Sequence, residues 1–236
     1  MFYIMDLMSE QNQERGDRIL EATRELLAER GYSDVTVREL ARRCGVSVPT
    51  LYNRFGGKDE LIARAVQSQF FRVLGSLEDE GEPIGHPRLI ALVARVADGI
   101  VELADYHRAL LQAFSQVRET GAIHQNLAQE LISALIVQLD EMRTRHQLCD
   151  WVALDVLATQ ITTACIAAMM AWSAGGVSDA GLRPFMEHSV GLILVASTQG
   201  ASRETLLELV KQTQAEVAPE LKHLSSLVSD SAKKKA

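Results

Sequence analysis

Apolar residues recur along most of this chain at spacings of three and four, the period of amphipathic α-helices. The clearest run is Leu89, Leu92, Val93, Val96, Ile100 and Leu103. Similar patterns predict helices at 12–30, 61–77, 106–118, 123–142, 151–172, 182–198 and 202–217. Ser202 is expected to cap the last helix, and Pro219 to follow its end. The pattern therefore predicts an all-α fold.

The segment EGEPIGHP at residues 80–87 interrupts the helical pattern with glycines and prolines, which favours a domain boundary there. We expect an N-terminal domain at 12–65 and a larger helical domain at 66–217. Residues 1–11 are interpreted as an N-terminal arm and residues 218–236 as a C-terminal tail.

Residues 36–61 carry the pattern of two short helices joined by a tight turn. Thr36, with Glu39 three residues later, predicts a capping box at the start of the first helix. Leu40 and Ala41 fall on one face of that helix and are expected to be buried.

The second helix of this pair is predicted from its own start and stop signals. Gly45 suits a left-handed residue at the end of the first helix, and Ser47 suits the cap of the next, with Pro49 in its first turn. Leu51 and Phe55, four residues apart, are expected to anchor this helix to the core. The outward positions are then Thr50, Tyr52, Asn53 and Arg54. This arrangement is typical of a helix-turn-helix, whose second helix enters the major groove of DNA.

The sequence Pro-Thr-Leu-Tyr at 49–52, followed by Phe55, Lys58 and Leu61, resembles the recognition helix of the tetracycline-repressor (TetR) family. The resemblance covers residues 12–65. The residues that it implies at the DNA interface are Thr36, Arg38, Ser47, Val48, Pro49, Thr50, Tyr52, Asn53, Arg54 and Lys58. Phosphate contacts are implied for Thr36, Tyr52 and Lys58. Base contacts are implied for Arg38, Val48, Thr50 and Asn53. Helical spacing leaves open whether Val48 lies in the core, and the arginines at 42, 43 and 54 are either phosphate contacts or a solvated basic face.

The charge distribution is compatible with DNA binding at this one place. The whole chain is acidic, with 24 basic and 31 acidic residues and a net charge of −7. From Thr36 to Lys58, however, the basic residues outnumber a single acidic residue, Glu39. Charges farther than about 10 Å are largely screened at ordinary salt, so the local basic surface decides the interaction with phosphates.

The remainder of the chain is similar to the TetR family in length and helical character. The resemblance implies a homodimer, formed through the helices at 151–172 and 182–198, that binds a palindromic operator in double-stranded DNA. It also implies a small-molecule effector that enters a cavity in the second domain and releases the repressor. The bulky or polarisable residues expected to line that cavity are Phe114, Met142, His146, Met169, Met170, Trp172 and Phe185. Such residues on helical faces are also ordinary core residues.

The helix predicted at 151–172 approaches the length of a membrane span. Asp155, Gln160 and three threonines lie within it and no basic residues flank it, so we expect no membrane insertion. Cys44, Cys149 and Cys165 are odd in number and far apart, which suits reduced thiols in a cytoplasmic protein. The apolar N-terminus lacks a basic leader and a cleavage site, so no signal peptide is expected.

Two other classes of protein were weighed against a regulator. A helical enzyme would need a catalytic motif, and the sequence holds no Gly-rich phosphate loop, no G-x-S-x-G and no Cys-x-x-Cys. The one Glu-x-x-His, Glu220 to His223, lies near the tail, so neither an enzyme nor a cofactor is expected. A helical adaptor that binds another protein through its second domain remains an alternative.

Overall fold

The chain folds into helices, as the sequence predicts. The computed structural model describes residues 2–75, 84–116 and 121–233. Within these residues the helices are α1 (Phe2–Asp34), α2 (Val37–Arg43), α3 (Val48–Phe55), α4 (Lys58–Gly75), α5 (His86–Glu102), α6 (Ala104–Gln116), α7 (Gly121–Thr144), α8 (Leu154–Ser173), α9 (Asp179–Ser197) and α10 (Gly200–Lys233). The same residues contain no strand, only an isolated bridge between Leu148 and Thr198.

The helices separate into two compact units. Unit 1 consists of Met1–Arg72 and Asp105–His124, and unit 2 of Val73–Ala104 and Gln125–Ala236. The predicted ends of the DNA-binding domain at residue 65 and of the effector-binding domain at residue 217 stay predictions. Part of the predicted break at 80–87, namely 80–83, lies outside the described residues.

Unit 1 has a continuous apolar core built from its first four helices. Within residues 2–75, the apolar side chains exposed by 2% or less are Ile19, Leu26, Leu27, Val35, Leu40, Leu51, Leu61, Ile62 and Ala65. Gly31 interrupts α1 with a left-handed backbone (φ 73°), at the point where the sequence predicts the helix to end. At its other end α1 starts at Phe2, so residues 2–11 are helical where the sequence predicts a separate arm.

Unit 2 is organised around α9, which packs against α5, α8 and α10. Its buried stripe, Leu182, Met186, Val190 and Leu194, is fully inaccessible to solvent. Gly191 lets α10 approach closely, because a Cβ there would lie 2.8 Å from a methyl group of Val210.

Two helix starts in unit 2 differ from the sequence prediction. α8 begins at Leu154, which leaves Trp151 in the preceding turn. α9 begins at Asp179, because Ser178 caps it by accepting a hydrogen bond from the amide of Gly181; Pro184 therefore lies inside the helix, past its first turn.

The last helix corrects two further predictions. Ser202 does not cap α10, which already begins at Gly200, and the Ser202 side chain is buried inside the helix. The helix also continues through Pro219 to Lys233, so the predicted tail is largely helical. Glu220 explains why the helix continues past Pro219, because its carboxylate accepts hydrogen bonds from Ser178 at the start of α9.

Candidate nucleic-acid interface

Helices α2 and α3 are held in place by local contacts that the sequence signals predict. The Thr36 hydroxyl accepts a hydrogen bond from the amide of Glu39 at 3.3 Å. The Ser47 hydroxyl accepts one from the amide of Thr50 at 3.2 Å. Gly45 between the helices has the expected left-handed backbone, with φ 63°. Residues of the chain itself thus form both N-caps and the turn.

The capping box at Thr36 is only half formed, because the Glu39 carboxylate has other partners. It lies 2.8 Å from the guanidinium of Arg30 and 3.3 Å from that of Arg42. Glu39 therefore links α1 to α2 and partly neutralises Arg42.

Helix α3 is anchored on one side and open on the other. Leu51 and Phe55 are buried in the core of unit 1. Tyr52 is 52% exposed, and Asn53 is exposed as well. Because Leu51 and Phe55 anchor one face, the opposite face presents hydrogen-bonding side chains to solvent, as a recognition helix requires.

The remaining predicted interface residues lie close to this open face. Pro49 is exposed at the start of α3, and Val48 and Thr50 are half-buried. The Thr50 hydroxyl lies 2.7 Å from that of Ser47. Thr36 and Arg38 are exposed at the start of α2. The roles that the resemblance implies for these side chains stay predictions.

Lys58 is folded onto unit 1. Its ammonium donates a hydrogen bond to the carbonyl oxygen of Tyr32 and lies 4.2 Å from the centre of the Tyr32 ring. The Tyr32 hydroxyl in turn donates to Asp59. Partial burial lowers the pKa of Lys58, while Asp59 and Asp34 act in the opposite direction. A phosphate bound by Lys58 would have to compete with the Tyr32 carbonyl.

Arg43 is paired with acidic side chains of α1. Its guanidinium forms ion pairs with Glu29 and with Glu25, the latter at 3.2 Å. The hydrogen bonds that Arg43 donates to Glu29 and, to a smaller extent, to Glu25 raise the pKa of Arg43. For Arg42 and Arg43, the structure thus shows intramolecular ion pairs.

Arg54 and a residue that sequence reasoning missed, Arg15, lie where α1 meets α3. A cleft of about 400 Å³ is lined by Arg15, Ile19, Thr50, Asn53 and Arg54. A neighbouring cleft of similar size is lined by Gln13, Gly16, Asp17, Leu20, Arg54, Phe55 and Arg64. Gly16 makes room for Arg54, since a Cβ at Gly16 would lie 2.6 Å from the guanidinium. Nothing in the local pattern around residue 15 signals its position beside α3.

The residues predicted to line an effector cavity have varied surroundings. Met142 and Trp172 are fully buried, and the Trp172 indole donates a hydrogen bond to Asp179 at 2.8 Å. Met169, Met170 and Phe185 are half-buried. The sequence predicts His146 on an inner helix, and this is wrong. His146 lies exposed in the turn after α7, with φ 56°. Phe114 lies on α6, in unit 1, and its side chain is outside the described residues.

Sequence reasoning also missed two buried polar atoms in unit 2. The Thr162 hydroxyl on α8 and the Gln138 side-chain oxygen on α7 are buried without a hydrogen-bond partner among the described residues. Threonine and glutamine inside a helix give no local sign of such a position.

Little in the described part of the chain suggests a metal centre. No group of three or more His, Cys, Asp or Glu side chains there could hold a metal ion. Glu220, the acidic residue of the single Glu-x-x-His, is instead hydrogen-bonded to Ser178. One described helix, Leu154–Ser173, is long and apolar enough to cross a membrane, which on its own is weak evidence because core helices of soluble proteins share these properties.

The fold and the open face of α3 together define a helical protein with an N-terminal helix-turn-helix. Residues 19–65 match the family described as "Bacterial regulatory proteins, tetR family". The helix-turn-helix part of the chain is thus similar to this TetR family, as the resemblance of residues 12–65 predicts.

The sequence relatives match over less than half of the chain. The HTH-type transcriptional repressor KstR of Rhodococcus jostii is 41% identical over 68 residues, which are 29% of this chain and 32% of KstR. An HTH-type transcriptional regulator of Mycobacterium tuberculosis is 33% identical over 91 residues, which are 39% of this chain and 47% of that protein. The chain therefore spans about a third to just under half of the length of these relatives.

A solved structure extends the likeness of fold to most of the chain. The crystal structure of a TetR-family transcriptional regulator from Rhodococcus sp. matches with a TM-score of 0.66, covering 77% of this chain and 99% of that one. The sequence identity is 18%, so this comparison concerns the fold alone.

Proposed function

We propose that this protein is a sequence-specific DNA-binding transcriptional repressor that acts as a homodimer on a palindromic operator and is released by a small apolar or amphipathic effector. The observation that carries the proposal is the geometry of α3. Leu51 and Phe55 fix the helix to the core, and the opposite face presents Tyr52, Asn53 and Thr50. No enzymatic activity is proposed, and we expect the protein in the cytoplasm.

The experiment for this proposal is a selection of bound fragments from random duplex DNA. The expected product is an inverted repeat whose half-sites lie about one helical turn, roughly 34 Å, or a multiple of it, apart. Asn53→Ala, a change on the open face of α3, is the matched variant, and it should alter the selected half-site. A selection that enriches no sequence would contradict the proposal.

Apolar surface on unit 2 supports a dimer. Only 33% of the apolar window of α8 is buried within the chain. Val156 on α8 is 56% exposed and Leu192 on α9 is 51% exposed. A helix that is apolar on most sides needs neighbours or a partner to cover it, and a second copy would also supply the second recognition helix.

The dimer interface is tested by adding a charge to each helix. Val156→Asp or Leu192→Glu should give a monomer in analytical ultracentrifugation and weaken binding to the inverted repeat. Val137→Glu is the control, because Val137 is 65% exposed on α7, outside the proposed interface. Dimers that persist in both variants would refute the proposed interface.

Buried polar atoms support an amphipathic effector in unit 2. The unpartnered Thr162 hydroxyl and Gln138 oxygen could each gain a hydrogen bond from a ligand, and half-buried Met169 and Met170 are adaptable apolar contacts. The effector must prefer the released state, and a nearly complete switch requires about 5.5 kcal/mol of differential affinity. A compound that raises the melting temperature and dissociates the DNA complex would identify it.

A further inference from the structure

Helix α1 brings a cationic side chain to the edge of the recognition helix. Arg15 lies on α1, one helical turn before Ile19, and both line a cleft whose other side is formed by Thr50, Asn53 and Arg54 of α3. The cleft measures about 400 Å³. Arg15 itself is exposed. An exposed arginine thus borders the same space as two side chains of the open face of α3.

The chemistry of this cleft suits a phosphodiester. Two guanidinium groups, a hydroxyl and a carboxamide are all able to donate hydrogen bonds to phosphate oxygens. The residues that line it include no acid; Asp17 lines the neighbouring cleft. The Ile19 side chain supplies an apolar wall, and Gly16 allows Arg54 to lie close against α1.

We propose that Arg15 contacts a DNA phosphate beside the major groove that α3 enters, so that α1 is a second element of the DNA interface. The inference rests on the proposed function. Phosphate contacts fix the orientation of a protein on the duplex without reading the sequence. A contact from α1 would help to fix the depth and tilt of α3 through a cleft that no residue of α2 lines.

Arg15→Ala and Arg15→Lys test this inference against Arg18→Ala. Arg18 is also exposed on α1 but lines neither cleft, so its loss removes the same charge from the same helix. Loss of one phosphate contact should flatten the slope of log Kobs against log salt by about 0.9 and weaken binding roughly eightfold at 0.1 M salt. The loss should be equal on the inverted repeat and on a scrambled duplex. Arg15→Lys should retain most of the slope.

Phosphate-ethylation interference shows which individual phosphates are needed for binding. A general loss of charge from the protein does not change that set. Wild-type protein should be blocked by ethylation at a defined set of phosphates in each half-site, and Arg15→Ala should lose one of them, while Arg18→Ala keeps the full set. The inference is overturned if Arg15→Ala and Arg18→Ala give the same slope and the same interference pattern as wild type. If wild-type protein itself binds no duplex, the proposed function fails first, and the two failures are distinguished in this way.

Discussion

Glu220 is predicted to stabilise unit 2 by closing the N-terminus of α9. One carboxylate oxygen accepts a hydrogen bond from the Ser178 amide at 2.8 Å, and the other accepts one from the Ser178 hydroxyl at 2.8 Å. The Ser178 hydroxyl also accepts from the Gly181 amide at 3.0 Å. Gly181 has no side chain to obstruct this, since a Cβ there would lie 2.4 Å from the carboxylate carbon. Glu220→Ala removes both bonds and the negative charge.

The magnitude follows from these contacts. A hydrogen bond to a charged group contributes about 1.5–3 kcal/mol when buried. Ser178 is exposed and Glu220 is half-buried, so each bond is expected to contribute at the low end or below it, about 0.5–1 kcal/mol. A negative charge at a helix N-terminus adds about 0.3–1 kcal/mol. Glu220→Ala should therefore lower the free energy of unfolding by about 1.3–3 kcal/mol, which corresponds to a melting temperature lower by roughly 3–12 °C for a chain of this size.

Thermal unfolding followed by circular dichroism measures this effect. Glu220→Gln retains one side-chain oxygen as an acceptor but loses the charge, so its melting temperature should lie between those of wild type and Glu220→Ala. Glu204→Ala, at an exposed position of the same helix, is the control and should have the melting temperature of wild type. If Glu220→Ala also has the melting temperature of wild type, Glu220 does not contact the start of α9. The helical path of α10 through Pro219 is then refuted.

Three further predictions concern the DNA interface and the thiols. Lys58→Ala should weaken binding to all duplexes and flatten the slope of log Kobs against log salt by about 0.9, if Lys58 leaves the Tyr32 carbonyl to make the predicted phosphate contact. An unchanged slope would show that Lys58 stays on Tyr32. Arg38→Ala should cost about 1–3 kcal/mol at a single base position, measured with single-base variants of the operator, and an equal loss at every position would contradict base readout. Cys165 should resist alkylation at pH 8 in the folded protein, because burial raises the pKa of its thiol to about 12; labelling as fast as that of the less buried Cys149 would be the opposite result.

The parts of the fold and of the interface that could be predicted from sequence are those that depend on neighbouring residues. Thr36 and Ser47 cap their helices by accepting a hydrogen bond from the amide three residues later. Gly45 adopts the left-handed backbone that the turn requires. Leu51 and Phe55 are buried because their spacing places both on one face of α3. These signals together locate the recognition helix.

The parts that sequence reasoning missed depend on contacts between distant residues. Glu220 is 42 positions from Ser178, so no local pattern shows that α10 passes Pro219. Arg15 joins the space beside Thr50 only when α1 and α3 are packed together. The orientation of Lys58 is set by Tyr32, which lies 26 residues earlier.

The central claim is that α3 reads DNA sequence, and one titration tests it most directly. Fluorescence anisotropy would compare the selected inverted repeat with a scrambled duplex of the same length and composition, at the same salt concentration. We predict binding to the inverted repeat at least about 10³-fold tighter, as specific DNA-binding proteins show. Equal affinity for both duplexes, or no binding to either at low ionic strength, would contradict the claim.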